Sequence, residues 1–133
     1  MIDLHLHTTA SDGTLGPAAL VERAVAAGIT TLSVTDHDTT AGLDEARAAA
    51  AARGAAFVDG IEITAIHDRR DVHLLGYFLD PADGSLQAFL ARQREDRIRR
   101  VREILDRLAA LGLQLDARAV LAVAGGGRRS VGR

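Results

Sequence analysis

Residues 29–35 read ITTLSVT and run straight into Asp36, His37 and Asp38. The seven-residue run is β-branched and apolar and too short for a helix, so it reads as a buried strand. The three polar residues then close it. Upstream, Leu20, Val21, Ala24 and Val25 recur at helical spacing. Pro17 suits the first position of that helix, Gly16 its cap, and Gly28 its stop. Before it, residues 1–7 alternate apolar Ile2, Leu4 and Leu6 with polar Asp3, His5 and His7, the period of a strand. Downstream, Thr39 and Thr40 are expected to cap a helix over residues 42–53, ended by Gly54. Residues 56–66 read as a third strand. A polar turn at 68–71 leads into a hairpin partner at 72–79.

The order is therefore β-α-β-α-β followed by a hairpin, which implies an α/β fold with a parallel sheet and helices outside it. In such folds the strand ends carry the chemistry. The second half differs. Residues 85–111 form one long amphipathic helix, with Leu86, Phe89, Leu90, Ile98, Val101, Ile104, Leu105, Leu108 and Leu111 as its apolar stripe. Gly112 ends it, and a short helix over 117–123 follows. No further strand comes after, an odd place for such a parallel sheet to stop.

Composition narrows the classes. The 133 residues are 47% hydrophobic and 26% charged, which suits a globular domain rather than a disordered tail. The formal net charge of -2 gives no basic field for duplex DNA. There is no Cys, hence no disulfide framework and no thiolate metal site, which fits a cytoplasmic protein. No apolar run approaches the roughly 18 residues of a membrane span. All 16 cationic residues are Arg.

His5 and His7 lie two apart on a strand, so both point to one face and form a clamp for a cation. An H-x-H pair alone is weak. Asp12 follows in the next loop, where a plain turn aspartate is the bland alternative. His37 closes the second strand and is poorly explained by helix capping. Glu62 sits inside an apolar strand, where an unpaired carboxylate is costly and wants a cation or a proton. His73 is again in an apolar strand, and a satisfied core histidine is its alternative. His67 reads as a surface residue. Together His5, His7, Asp12, His37, Glu62 and His73 exceed what one tetrahedral ion needs. They suggest two or three divalent ions, and mixed His and carboxylate ligation without Cys fits Mn, Fe, Zn or Mg.

The motifs DLHLH (3–7), SDGT (11–14), TDHD (35–38), GIE (60–62) and VHLLG (72–76) resemble, in order and spacing, the opening motifs of the PHP (polymerase and histidinol phosphatase) superfamily. RQREDRI (92–98) resembles its metal-dependent phosphoesterase branch, which includes nucleoside 3′,5′-bisphosphate and AMP phosphatases, some of which trim RNA from the 5′ end. The resemblance implies the N-terminal part of a distorted (β/α)7 barrel over residues 1–82 and a helical insertion over 83–133. It implies that the six donors above are metal ligands, with Glu62 a bridge. It implies that Arg97 and Arg133 grip the substrate phosphate, and that the later ligands of the family lie beyond this chain. The expected reaction is hydrolysis of a nucleotide phosphomonoester by metal-activated water, with Asp38 relaying a proton to the leaving group. The expected partners are a small nucleotide or RNA 5′ ends, with no membrane. Histidinol phosphate, DNA ends, or a non-catalytic metal-binding fragment are the alternatives.

Overall fold

A computed structural model of the chain describes residues 1–68 and 70–125. The order of elements is β1 (Ile2–Leu6), α1 (Pro17–Ala26), β2 (Thr31–Val34), α2 (Leu43–Ala52), β3 (Ala56–His67), β4 (Arg70–Tyr77), α3 (Gly84–Ala110) and α4 (Ala117–Gly125). The four strands lie side by side in sequence order. β1, β2 and β3 run parallel, and β4 returns antiparallel to β3.

β3 serves two neighbours in turn. Its first four residues pair with β2, from Thr31–Ala56 to Val34–Asp59. From Gly60 onward it pairs with β4, as Gly60 opposite Tyr77 through His67 opposite Arg70. Gly60 marks the changeover because a Cβ there would lie 2.2 Å from Ser33 Oγ and 2.8 Å from Thr35 Cγ2. No side chain fits where the two strands approach this closely.

The main core lies between the sheet and the helix pair. Val21 and Ala24 of α1, Leu32 and Val34 of β2, and Leu43, Ala46 and Ala50 of α2 are all buried there. The run of small residues in α2 lets that helix sit close to its neighbours. The expected caps at Thr39 and Thr40 do not form. Gly42 holds the N-cap position of α2, with no side-chain bond to the helix. Thr39 Oγ1 instead accepts the Ala41 N–H at 3.2 Å, and Thr40 Oγ1 accepts from Gln87 Nε2 at 3.0 Å, tying the loop to α3. The apolar stripe of α3 is only partly covered among the described residues: Leu90 and Val101 are buried, whereas Ile104 and Leu111 are exposed. Asp83 caps α3, accepting the Leu86 N–H at 2.7 Å. No helix among the described residues is long and apolar enough to cross a membrane.

Candidate metal centre

β1 and β2 deliver their side chains at the same end of the sheet, and the loops that leave them carry the rest. β1 bulges between Asp3 and Leu6. The Asp3 carboxylate accepts the His5 N–H at 3.2 Å across that irregularity. His5 and His7 still face the same way: their Nε2 atoms lie 3.1 and 3.0 Å from Glu62 Oε2. Glu62 reaches this point because β3 continues past the end of β2. A bridge between His37 and Glu62 extends the parallel pairing there, with Asp38 N–H donating to Glu62 O at 2.9 Å and Glu62 N–H to Asp36 O at 3.2 Å.

Glu62 is the hub. Its side chain is 3% exposed, as is that of His37, whose Nε2 lies 3.6 Å from Oε2. On the opposite oxygen, His73 Nδ1 stands 2.5 Å from Oε1. His73 gets there from β4 by sitting opposite Thr64, two residues beyond Glu62 on the same face of β3. Asp12 completes the set, with Oδ1 3.3 Å from His7 Nδ1 and Oδ2 3.5 Å from His37 Nε2. Burial alone pushes the Glu62 carboxyl upward, but the His5 hydrogen bond and the fields of His37, His7 and His73 outweigh it and hold it below its ordinary value of 4.5.

These donors form three overlapping groups: His5, His7, Glu62; His7, Asp12, His37; and His37, Glu62, His73. Each pair of groups shares one residue. The donor set fits divalent cations on two counts. Two donors bound at about 2.1 Å to one ion, 90–110° apart, sit about 3.0–3.4 Å from each other, the range in which the Nε2 atoms of His5 and His7 lie from Glu62 Oε2. Protons alone satisfy the cluster poorly. Three imidazole nitrogens face the single oxygen Oε2. Neighbouring rings are centred 5.1, 4.7 and 5.0 Å apart, so charging them all sets like charges side by side. Each such pair repels by about 3 kcal/mol at an effective dielectric of about 20. The arrangement of nitrogen and oxygen donors without sulfur suits borderline or hard divalent ions.

The loop between β1 and α1 is anchored by Asp36, whose importance the sequence did not reveal. Its side chain is buried at 1% exposure. Oδ1 accepts from Thr8 N at 2.7 Å and from Ser11 Oγ at 2.6 Å, while Oδ2 accepts from Thr8 Oγ1 at 2.6 Å. Thr8 O in turn accepts from Ser11 N at 3.1 Å and Gly13 N at 2.9 Å. Gly13 is required for that fold-back, since a Cβ would lie 2.2 Å from His7 O. The only sequence signal was a second aspartate in the polar triplet that closes β2.

Asp38 takes a different path. Its backbone is left-handed, at φ +52°, a strained value for a non-glycine residue. Its Oδ1 accepts the Thr64 N–H at 3.0 Å, and its Oδ2 pairs with the guanidinium of Arg97 from α3. Both residues line a cavity of about 580 Å³ between the β3–β4 hairpin and α3, whose walls include Thr64, Gln93, Arg100 and Arg107. His67 is exposed beside Asp68. Arg133 lies outside the described residues.

The family profile described as PHP domain matches residues 3–105. The 3′,5′-nucleoside bisphosphate phosphatase of Chromobacterium violaceum is 45% identical over 112 residues, covering 84% of this chain and 39% of that protein. A 5′-3′ exoribonuclease of Haemophilus influenzae is 42% identical over 111 residues, covering 84% of this chain and 40% of that protein. A crystal structure from Bifidobacterium adolescentis, provisionally assigned as a metal-dependent phosphoesterase, matches with a TM-score of 0.82 and 37% identity over 98% of this chain and 46% of that one. The chain thus spans about two-fifths of the length of these curated relatives.

Proposed function

The chain belongs to the PHP family, and from that premise we propose that it forms the metal-binding part of a phosphoesterase that hydrolyses a phosphomonoester of a nucleotide. A nucleoside 3′,5′-bisphosphate or an AMP-like molecule is the favoured substrate, and the 5′ end of an RNA chain is a longer version of the same chemistry. The observation that carries this reading is the convergence of His5, His7, Asp12, His37 and His73 on the buried Glu62.

In this reading those six residues hold the ions, and Mn2+ is the favoured one. The groups His5–His7–Glu62 and His37–Glu62–His73 share only Glu62, whose two oxygens face different imidazoles. Two ions therefore fit without any imidazole being shared, and a third would draw on Asp12. When bound, divalent cations supply charge that lowers the pKa of water and neutralises a phosphate ester. The chain does the rest. Asp38 holds one side of the Arg97 guanidinium, so its remaining N–H groups are fixed for a phosphate oxygen. A proton relay through Asp38 requires that Arg97 first release the carboxylate. The cavity beyond this pair has room for the body of a nucleotide. Arg133 is a second phosphate contact in this proposal. In this reading residues 1–82 are the barrel part and a helical insertion begins at residue 83; the last residues of the span assigned to it, 126–133, lie outside the described residues. The absence of Cys suits a cytoplasmic setting.

The test is phosphate release from a panel of phosphomonoesters with Mn2+. Nucleotide substrates are expected to be hydrolysed by the wild-type chain and spared by Glu62→Ala. Equal release by the two proteins would sink the proposal.

A further inference from the structure

Asp36 touches none of the six donors in any way that would make it a ligand. It nevertheless sits one residue from His37, and its buried carboxyl group is one that nothing in the reaction outlined above uses. A neutral group could serve as a plain loop anchor at lower desolvation cost. Asp36 instead gathers three short bonds on two oxygens, each 2.6 or 2.7 Å, the length of charge-assisted contacts. All three come from Thr8 and Ser11, the residues on either side of the turn that leads to Asp12.

The consequences run outward in two directions. Through Thr8, the carboxylate fixes the turn whose carbonyl receives Ser11 N and Gly13 N, and so fixes the backbone that bears Asp12. Through Ser11, it takes up the hydroxyl proton, because Asp36 Oδ1 at 2.6 Å is far closer than Asp12 Oδ1 at 3.4 Å. The lone pairs of Ser11 Oγ then face His7 Nδ1 at 3.5 Å, beside Asp12 Oδ1 at 3.3 Å. Both neighbours of Nδ1 are acceptors, so the His7 proton belongs on Nδ1. That leaves Nε2, 3.0 Å from Glu62 Oε2, with its lone pair turned to the centre.

We propose that Asp36 is a positioning residue of the metal centre: through Thr8 and Ser11 it sets Asp12 in place and fixes His7 in the tautomer that can bind a cation. This rests on the metal-centre reading given above. It assigns to the first aspartate of the Thr35–Asp38 motif a task distinct from that of Asp38, which faces the cavity and Arg97.

Mn2+ titration calorimetry on the whole chain tests it, paired with thermal melts in EDTA to report folding without metal. Asp36→Asn replaces one acceptor oxygen by an N–H donor. It is expected to melt close to wild type in EDTA while binding Mn2+ about 10–100-fold more weakly. A folded Asp36→Asn that binds Mn2+ like wild type overturns the inference. Should Asp36→Asn fail to fold, Thr8→Val decides, since it removes only the hydroxyl, which donates to Oδ2 and accepts the Ala10 N–H at 3.0 Å. Weakened Mn2+ binding in Thr8→Val with recovery in Thr8→Ser supports the inference, and wild-type binding in Thr8→Val overturns it. A wild-type chain that takes up no Mn2+ overturns the metal-centre reading and this inference with it, and is recognised before any variant is compared.

Discussion

His73 Nδ1 and Glu62 Oε1 stand 2.5 Å apart, on the opposite side of the carboxylate from His5 and His7. A single buried side chain therefore connects the antiparallel hairpin to the parallel strands. Glu62→Gln keeps the shape but loses the charge and one acceptor oxygen. We expect bound Mn2+ to fall by about one ion per chain, because a bridging position cannot be served by an amide nitrogen. Metal analysis of gel-filtered protein checks this, and an unchanged ion content would remove Glu62 from the centre.

Arg97→Lys should leave metal content intact while lowering kcat/KM for a nucleotide phosphomonoester by about 100-fold. An ammonium cannot both satisfy Asp38 and present a planar fork to phosphate. Steady-state kinetics on the Mn2+-loaded protein gives the answer. A lysine variant as active as wild type would make Arg97 part of an ordinary solvated helix face.

Acid should loosen the start of α3. The Ser85 hydroxyl and then the Leu86 N–H hold the Asp83 carboxyl below its ordinary value of 3.8. A depressed folded value means that the cap's contribution is present above pH 3.8 and is lost as pH falls through the lower, folded pKa. Asp83→Ala should lower the melting temperature near neutrality, and the gap to wild type should close in acid. Melts monitored by circular dichroism across that range would expose a cap of no consequence as a gap that never existed.

Gly60→Ala places a methyl group against Ser33 Oγ and Thr35 Cγ2. Overpacking of this kind costs about 1–3 kcal/mol. Leu32→Ala, on β2 in the core between the sheet and the helix pair, should cost more, about 2–5 kcal/mol, through the cavity it leaves. Denaturant titration orders the two. A Gly60→Ala protein as stable as wild type would mean that β3 can move away from β2 at the changeover.

Much of this was legible in the residues. The alternation over 1–7, the β-branched run at 29–35 and the turn at 68–71 are local signals: strands formed at the first two places with boundaries shifted by a few residues, and β4 begins at Arg70, inside the stretch read as the turn. The convergence of His5, His7, His37 and Glu62 was legible because parallel strands deliver their ends to one side, so an H-x-H, a post-strand His and an in-strand Glu come together; Asp12 arrives on a loop and His73 on the antiparallel β4. Asp36 was not. Its meaning depends on Thr8, 28 positions away, and no periodicity reports a bond between two loops. Thr39 and Thr40 were misread as caps because hydroxyls at a helix start have that propensity, whereas a tertiary partner, Gln87, claims Thr40. The pairing of Arg97 with Asp38 was equally hidden, since the helix face offered six arginines of similar standing between positions 92 and 102.

The shared strand has a mechanical corollary. β3 belongs to the parallel sheet over its first third and to the hairpin thereafter, and its hub carboxylate sits just past the handover. A shove on the outer ribbon cannot be absorbed by slack between two separate strands; it travels along one continuous backbone into the ligand cluster. A cation gripping that cluster would, in the same way, brace the ribbon from its root.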